Sequence, residues 1–179
     1  GSSTTNAANF ENSSYPTGSI LYNSQVFSFS FWKSHAGAGT RETAIQLRTP
    51  TQDDAVSMYT EDTKVCLKLM SSGGGYRIWS RTYADININA DDMNHFVWTY
   101  SEGDPSPTLY VNSVSQSSLT VADSSFAGYD DARISRIYLA GSGHTTINEL
   151  RGRLSQVSIW SGSLNSTIVS DIYNDGRPK

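Results

Sequence analysis

A chain of 179 residues is long enough for one domain with a single substantial core. Its net charge of −4 and charged share of 17% exclude a basic face that reads a phosphate backbone, and no stretch is long and apolar enough to cross a membrane. The single cysteine, Cys66, excludes an internal disulfide and any multi-cysteine metal site.

One domain over residues 1–179 is therefore expected. The leading Gly1-Ser2 reads as a cloning scar, so the natural chain is expected to extend upstream. The chain carries 29 serines, 16 threonines and an aromatic share of 11%, a mixture that suits half-buried pleated surfaces better than helices.

In chain order, "VFSFSFW" (26–32) alternates Phe27, Phe29 and Phe31 against Ser28, Ser30 and Trp32, the period-2 pattern of a strand with one dry face. "ETAIQLR" (42–48), "AVSMYT" (55–60) and "KVCLKLM" (64–70) follow, with polar, Gly or Pro breaks between them. "SSGGG" (71–75) lacks the Lys-Ser/Thr tail of a phosphate loop and reads as a hairpin tip leading into "YRIWSR" (76–81). "HFVWTY" (95–100) sets Phe96, Trp98 and Tyr100 against His95, Val97 and Thr99. It pairs with "TLYVN" (108–112) across a turn that Pro105 and Pro107 bar from any central ladder. "ARISRIYLAG" (132–141) and "LRGRLSQVSIW" (150–160) complete the strands, and Trp32, Trp98 and Trp160 are assigned to the core because they lie on strands.

After residue 160 the period changes. Ile168, Val169, Ile172 and Tyr173 are spaced for one helical face, with Asn165 as N-cap, Leu164 and Val169 as a hydrophobic staple, and Gly176 as the C′ residue. The reading is all-β with one short C-terminal helix.

The order "FSFSFW", "MNHFVWTY", "LYVNS" and "LRGRLSQVSIWSGSLNSTIVSDIYNDG" resembles the laminin-G-like/pentraxin branch of the concanavalin A-like lectin/glucanase superfamily. The most specific residues are Gly152, Val157, Ile159, Trp160, Leu164, Ile168, Ile172, Tyr173, Asn174 and Gly176. The resemblance implies a two-sheet antiparallel jelly-roll sandwich with a short helix packed near its end. Departures are Met93-Asn94 where that branch has Trp-His, Ser113 for a glycine, and Ser155-Gln156 for an Asp-Glu pair that could support a metal.

An enzyme is not expected. The alternating acids of the glycosidase branch do not occur, and the polysaccharide-lyase pattern has only an echo in Arg41, Glu42 and Gln46, with no histidine after Gln46. His35, His95 and His144 have no metal spacing, and His95 reads as a structural histidine. Glu102 and Asp104, in the loop between the paired strands, read as rim. Three Asp-Asp pairs sit on loop signals (Asp53-Asp54, Asp91-Asp92 and Asp130-Asp131), where turn formation is the ordinary role of such residues. If the chain takes a Ca2+ ion, Asp91, Asp92 and Asp130 are the expected ligands, because calcium wants several oxygens on rim loops.

The expected function is a non-catalytic, lectin-like carbohydrate-binding module of a secreted, cell-surface or viral attachment protein, with a glycan or cell-surface receptor as partner. No nucleic acid and no membrane insertion are expected, and any homo-oligomer would come through the parent protein. Sugars are held by aromatic rings and planar polar groups on a preformed surface. Tyr76, Arg77, Trp79, Arg81, Tyr83, Asn87 and Tyr129 are the candidates, with Tyr15 and Asn89 beside them. The alternative is a protein-interaction or structural sandwich that binds no sugar. Sequons at Asn12-Ser13-Ser14 and Asn165-Ser166-Thr167 fit secretion, although the second overlaps the expected N-cap.

Overall fold

The computed structural model describes residues 8–11, 26–34, 41–48, 54–61, 63–71, 73–89, 92–101, 103–127, 136–141, 150 and 152–176. In chain order the elements are β1 (Ala8–Glu11), β2 (Val26–Lys33), β3 (Glu42–Arg48), β4 (Asp54–Glu61), β5 (Lys64–Met70) and β6 (Tyr76–Thr82). There follow β7 (Asn94–Ser101), β8 (Thr108–Val111), β9 (Val114–Gln116), β10 (Thr120–Ser124), β11 (Arg136–Leu139), β12 (Leu154–Trp160) and helix α1 (Ser166–Tyr173). They form a seven-stranded sheet ordered β1-β11-β3-β4-β5-β6-β10 and a five-stranded sheet ordered β12-β2-β7-β8-β9, with antiparallel pairing throughout. The expected sandwich is present.

Alternation builds the core. On β2, Phe27, Phe29 and Phe31 turn inward and stand opposite Tyr100, Trp98 and Phe96 of β7 in register. From the other sheet come Ile45 and Leu47, Val56 and Met58, Val65, Leu67 and Leu69, and Trp79. Each such side chain contributes roughly 1.5–3 kcal/mol by leaving water. At one end of the core an ion pair joins the sheets: Lys33 Nζ lies 2.8 Å from Glu42 Oε2, with both side chains buried. Burial lowers the pKa of Lys33, and the carboxylate of Glu42 opposes that shift. Glu42 therefore belongs to the interior.

The close passage of β2 toward β12 explains Gly152. A Cβ there would lie 2.0 Å from the Ser34 carbonyl oxygen, so any side chain would push the two segments apart. The glycine loop after β5 is a hairpin tip, as expected, with Ser71 N–H donating to Gly75 O at 2.8 Å. The Pro105–Pro107 turn likewise joins β7 to β8 as a hairpin.

Helix α1 starts where capping chemistry places it. Asn165 is extended, and its Oδ1 accepts from Ile168 N–H at 3.0 Å. Leu164 and Val169 are buried together, as a staple requires. The C-terminal end differs from expectation: Asn174, at φ 50°, takes the left-handed cap position, and its N–H bonds Ser170 O. Gly176 instead closes a further turn of 3₁₀ type. Ile168 is 42% exposed, so the buried stripe is Val169 with Ile172 and Tyr173 half-buried. Trp98 lies in the core, whereas Trp32 and Trp160 lie on the opposite face of the five-stranded sheet, beneath the helix.

Candidate functional site

A two-sheet sandwich has two outer faces, and here they differ. The outer face of the five-stranded sheet is taken by α1. Val97 and Tyr110 pack with Leu164 and Val169, flanked by Trp160 and Ile172. Ser28 Oγ donates to Gly162 O at 2.6 Å and accepts from Leu164 N–H at 3.1 Å, and Thr99 bonds Ser163 at 2.8 Å. These polar contacts hold the segment that leads into the helix.

The outer face of the seven-stranded sheet is polar. Because Ile45, Leu47, Val56, Met58, Leu67 and Leu69 point inward, the residues between them point out. Register aligns them in cross-strand rows. The central row runs Tyr138, Gln46, Ser57, Lys68, Ile78, Ala122. To one side lie Tyr59, Cys66 and Ser80, and to the other Met70 and Tyr76, with Arg48 following Gln46 on the same face of β3. Cations lie over rings across this surface: Arg41 is 4.3 Å from the Tyr59 centroid, Lys68 5.1 Å from Tyr76 and Arg48 5.9 Å from Tyr138.

Gln46 (3% exposed) and Ser57 (5% exposed) are buried although they point away from the core. Ser57 Oγ has no hydrogen-bond partner among the described residues. Leaving a buried hydroxyl unpaired costs about 1–3 kcal/mol, so this serine adds little to the fold through its hydroxyl. Two buried titratable groups of this face, Cys66 and Tyr59, are held neutral. Burial pushes the Cys66 thiol up to about 12, with Glu61 adding to the effect, and burial likewise raises the Tyr59 phenol. A thiol that stays protonated is not a nucleophile.

The structure divides the candidates read from the sequence. Tyr76 stands on this outer face, half-buried beside Lys68. Arg77, Trp79 and Arg81 have the opposite parity on β6 and point inward. Trp79 is 1% exposed, lying edge-on to Phe126 and tilted against Tyr100 inside the sandwich, so it presents no ring to a ligand outside. Arg77 ion-pairs with Asp123 of β10, caps Phe126 at 5.0 Å and thereby locks the edge strand, holding the Asp123 carboxyl below its usual range. Arg81 donates to Ser118 O at 2.9 Å. Tyr83 is buried in the core, and Asn87 is exposed in the turn after β6 at φ 51°.

Asp92 is exposed in the turn before β7, where Asn94 Nδ2 donates to its carbonyl at 2.9 Å. Tyr15, Tyr129, Asp53, Asp91, Asp130, Asp131, Glu102, His35 and His144 lie outside the described residues. Among the described residues no group of three His, Cys, Asp or Glu side chains is placed to hold a metal ion. His95 is fully buried beneath α1. Ser57, Lys68, Arg48 and Tyr138 were not singled out from the sequence. Their signal was only the polar half of ordinary strand alternation, which solvent-facing residues share.

A family model for the concanavalin A-like lectin/glucanases superfamily matches residues 4–170, and the chain belongs to that superfamily. Among solved structures, the chain is similar to the receptor binding domain of the botulinum neurotoxin C/D mosaic serotype. There the TM-score is 0.66 at 14% identity over 87% of this chain and 38% of that one. It is also similar to the binding domain of botulinum neurotoxin serotype G, with TM-score 0.65 at 15% identity over 92% and 39% of the two chains. The CBM40 of the Ruminococcus gnavus IT-sialidase, bound to α2,3 sialyllactose, superimposes with TM-score 0.66 at 11% identity over 93% of this chain and 92% of that one. The chain thus spans well under half of the toxin domains and nearly all of the CBM40. At these identities the likeness establishes the fold alone. No curated protein matches the sequence.

Proposed function

We propose that this chain is a non-catalytic carbohydrate-binding module that holds its ligand on the outer face of the seven-stranded sheet. The observation that carries this reading is the alignment of half-buried Lys68 and Tyr138 in one cross-strand row of that face, with half-buried Tyr76 beside Lys68. The Lys68 ammonium can donate to sugar hydroxyls. Half-buried Tyr76 and Tyr138 offer rings to the apolar C–H faces. The CBM40 relative is described with a sialyl sugar and the toxin relatives as receptor binding domains, which supports a glycan or cell-surface receptor as partner. An extracellular, cell-surface or virion-surface setting follows from that role.

Binding is favoured over catalysis for chemical reasons. Glycosidases need two carboxylates across the scissile bond, and the acidic side chain described on this face, Glu61, is engaged by Arg41 at 3.2 Å. Tyr59 and Cys66 stay protonated, and the described histidine, His95, lies on the other sheet. A second reading, a protein-interaction sandwich, is favoured by Val114 and Val121. They are 61% and 51% exposed on the edge strands β9 and β10.

A broad glycan array on the purified chain, run in calcium and again in EDTA, tests the proposal. Binding that survives EDTA and weakens in the Gln46→Ala variant is the expected result. Binding lost in EDTA would move the site to the Asp91, Asp92 and Asp130 loops. No binding in either buffer would leave the protein-interaction reading.

A further inference from the structure

We propose that His95 is an acid-sensitive clasp for helix α1, and that protonating its imidazole loosens the helix from the five-stranded sheet. The observation is a closed stack of three rings from three elements. His95 of β7 is 0% exposed and lies against Trp32 of β2 at 5.0 Å and Tyr173 of α1 at 5.9 Å; Trp32 and Tyr173 are themselves 5.6 Å apart and within 11° of parallel. Tyr173 is the last residue of α1, so the stack pins the end of the helix opposite its Asn165 cap.

Among the described residues the ring has one polar contact, Nε2 to Ser30 Oγ at 2.7 Å, and its buried Nδ1 has no hydrogen-bond partner. A neutral imidazole tolerates this arrangement. An imidazolium carries two N–H donors and a charge, and here only the serine oxygen is available to receive either. The described groups around the ring are Ser30 and Trp32 from β2, Tyr173 from α1 and Asn112, whose Oδ1 accepts from the His95 backbone N–H. None is a carboxylate. Burial alone pushes the His95 pKa down, to about 4.

The direction of the pH effect follows from this. The unfolded or undocked imidazole takes its proton near its ordinary value of 6.5, and the docked one only near 4. The docked state therefore binds fewer protons in that interval, so docking is complete above about pH 6.5 and weakens as pH falls toward 4. Loss of the helix would uncover Val97 and Tyr110, now buried against Leu164 and Val169. Acid would thus expose an apolar face that neutral pH conceals. The sugar-binding proposal concerns the other sheet, and either can fail without the other.

The test is amide hydrogen exchange of residues 168–173 from pH 7 to pH 4, corrected for intrinsic rates, beside the β2 and β7 core amides of the same sample. Helix protection should fall on the order of tenfold or more between pH 6.5 and 4 while core protection holds, and His95→Gln should abolish the fall. A helix equally protected at both pH values, or an equal fall in His95→Gln, would overturn the proposal. If His95→Gln does not fold, the imidazole titration in the full chain decides. Val169→Ala, which weakens docking without touching charge, should raise the His95 titration point toward 6.5. A titration point that does not move in Val169→Ala would overturn the clasp.

Discussion

Two buried serines on strands of the same sandwich have opposite fates. Ser28, on the outer face of the five-stranded sheet, is fully satisfied, donating to Gly162 O and accepting from Leu164 N–H. Ser57, on the outer face of the seven-stranded sheet, is also buried, and its hydroxyl has no partner among the described residues. Both arise from the same strand alternation, and what separates them is the segment 162–164, which packs over Ser28. One face is committed to the fold, with a helix seated on it by Leu164, Val169 and the Trp32–His95–Tyr173 stack. The other is lined with Gln46, Ser57, Lys68 and tyrosines, and it is the face proposed above for the ligand.

The sharpest way to break this contrast is to attack the committed face. Val97→Asp places a carboxylate at a 0% exposed position under the helix and should cost about 4 kcal/mol, read as a large drop in the urea midpoint. The inter-sheet ion pair comes next: Glu42→Gln leaves the Lys33 ammonium buried with a neutral partner and should cost about 3 kcal/mol, whereas replacing both residues with apolar side chains should be nearly neutral. Asn165→Ala removes the helix cap and should cost about 1 kcal/mol, felt by the covered face and not by ligand binding. Tyr76→Ala, half-buried on the polar face, should change stability least, by about 0.5 kcal/mol, while weakening any sugar that stacks on its ring.

The fold was largely legible in the sequence because alternation and capping are local. The phenylalanines of β2 mark their own dry face, and the change of period after Trp160 announces α1 with its Asn165 cap. Strands β1, β9 and β10 were not anticipated: three to five residues long, at or near sheet edges, they carry too little alternation to register. The site was harder to read. On "YRIWSR", Tyr76 and Trp79 have opposite parity, so both cannot face a ligand. Only the cross-strand neighbours Leu67 and Leu69 decide that Trp79 and Arg77 turn inward. Gln46 and Ser57 lie on the successive strands β3 and β4, but Tyr138 comes from β11 far along the chain, and their alignment in one row exists only in the folded register.

The central claim, that one outer face serves the fold and the other the ligand, is tested most directly by urea denaturation of Ser28→Ala and Ser57→Ala side by side with the unaltered chain. Ser28→Ala strands the Leu164 N–H and the Gly162 carbonyl and should lose about 1–3 kcal/mol, whereas Ser57→Ala removes a hydroxyl with no partner among the described residues and should be as stable as the parent or more so. A Ser57→Ala variant that loses as much as Ser28→Ala would show that the polar face is also part of the fold, and would contradict the account.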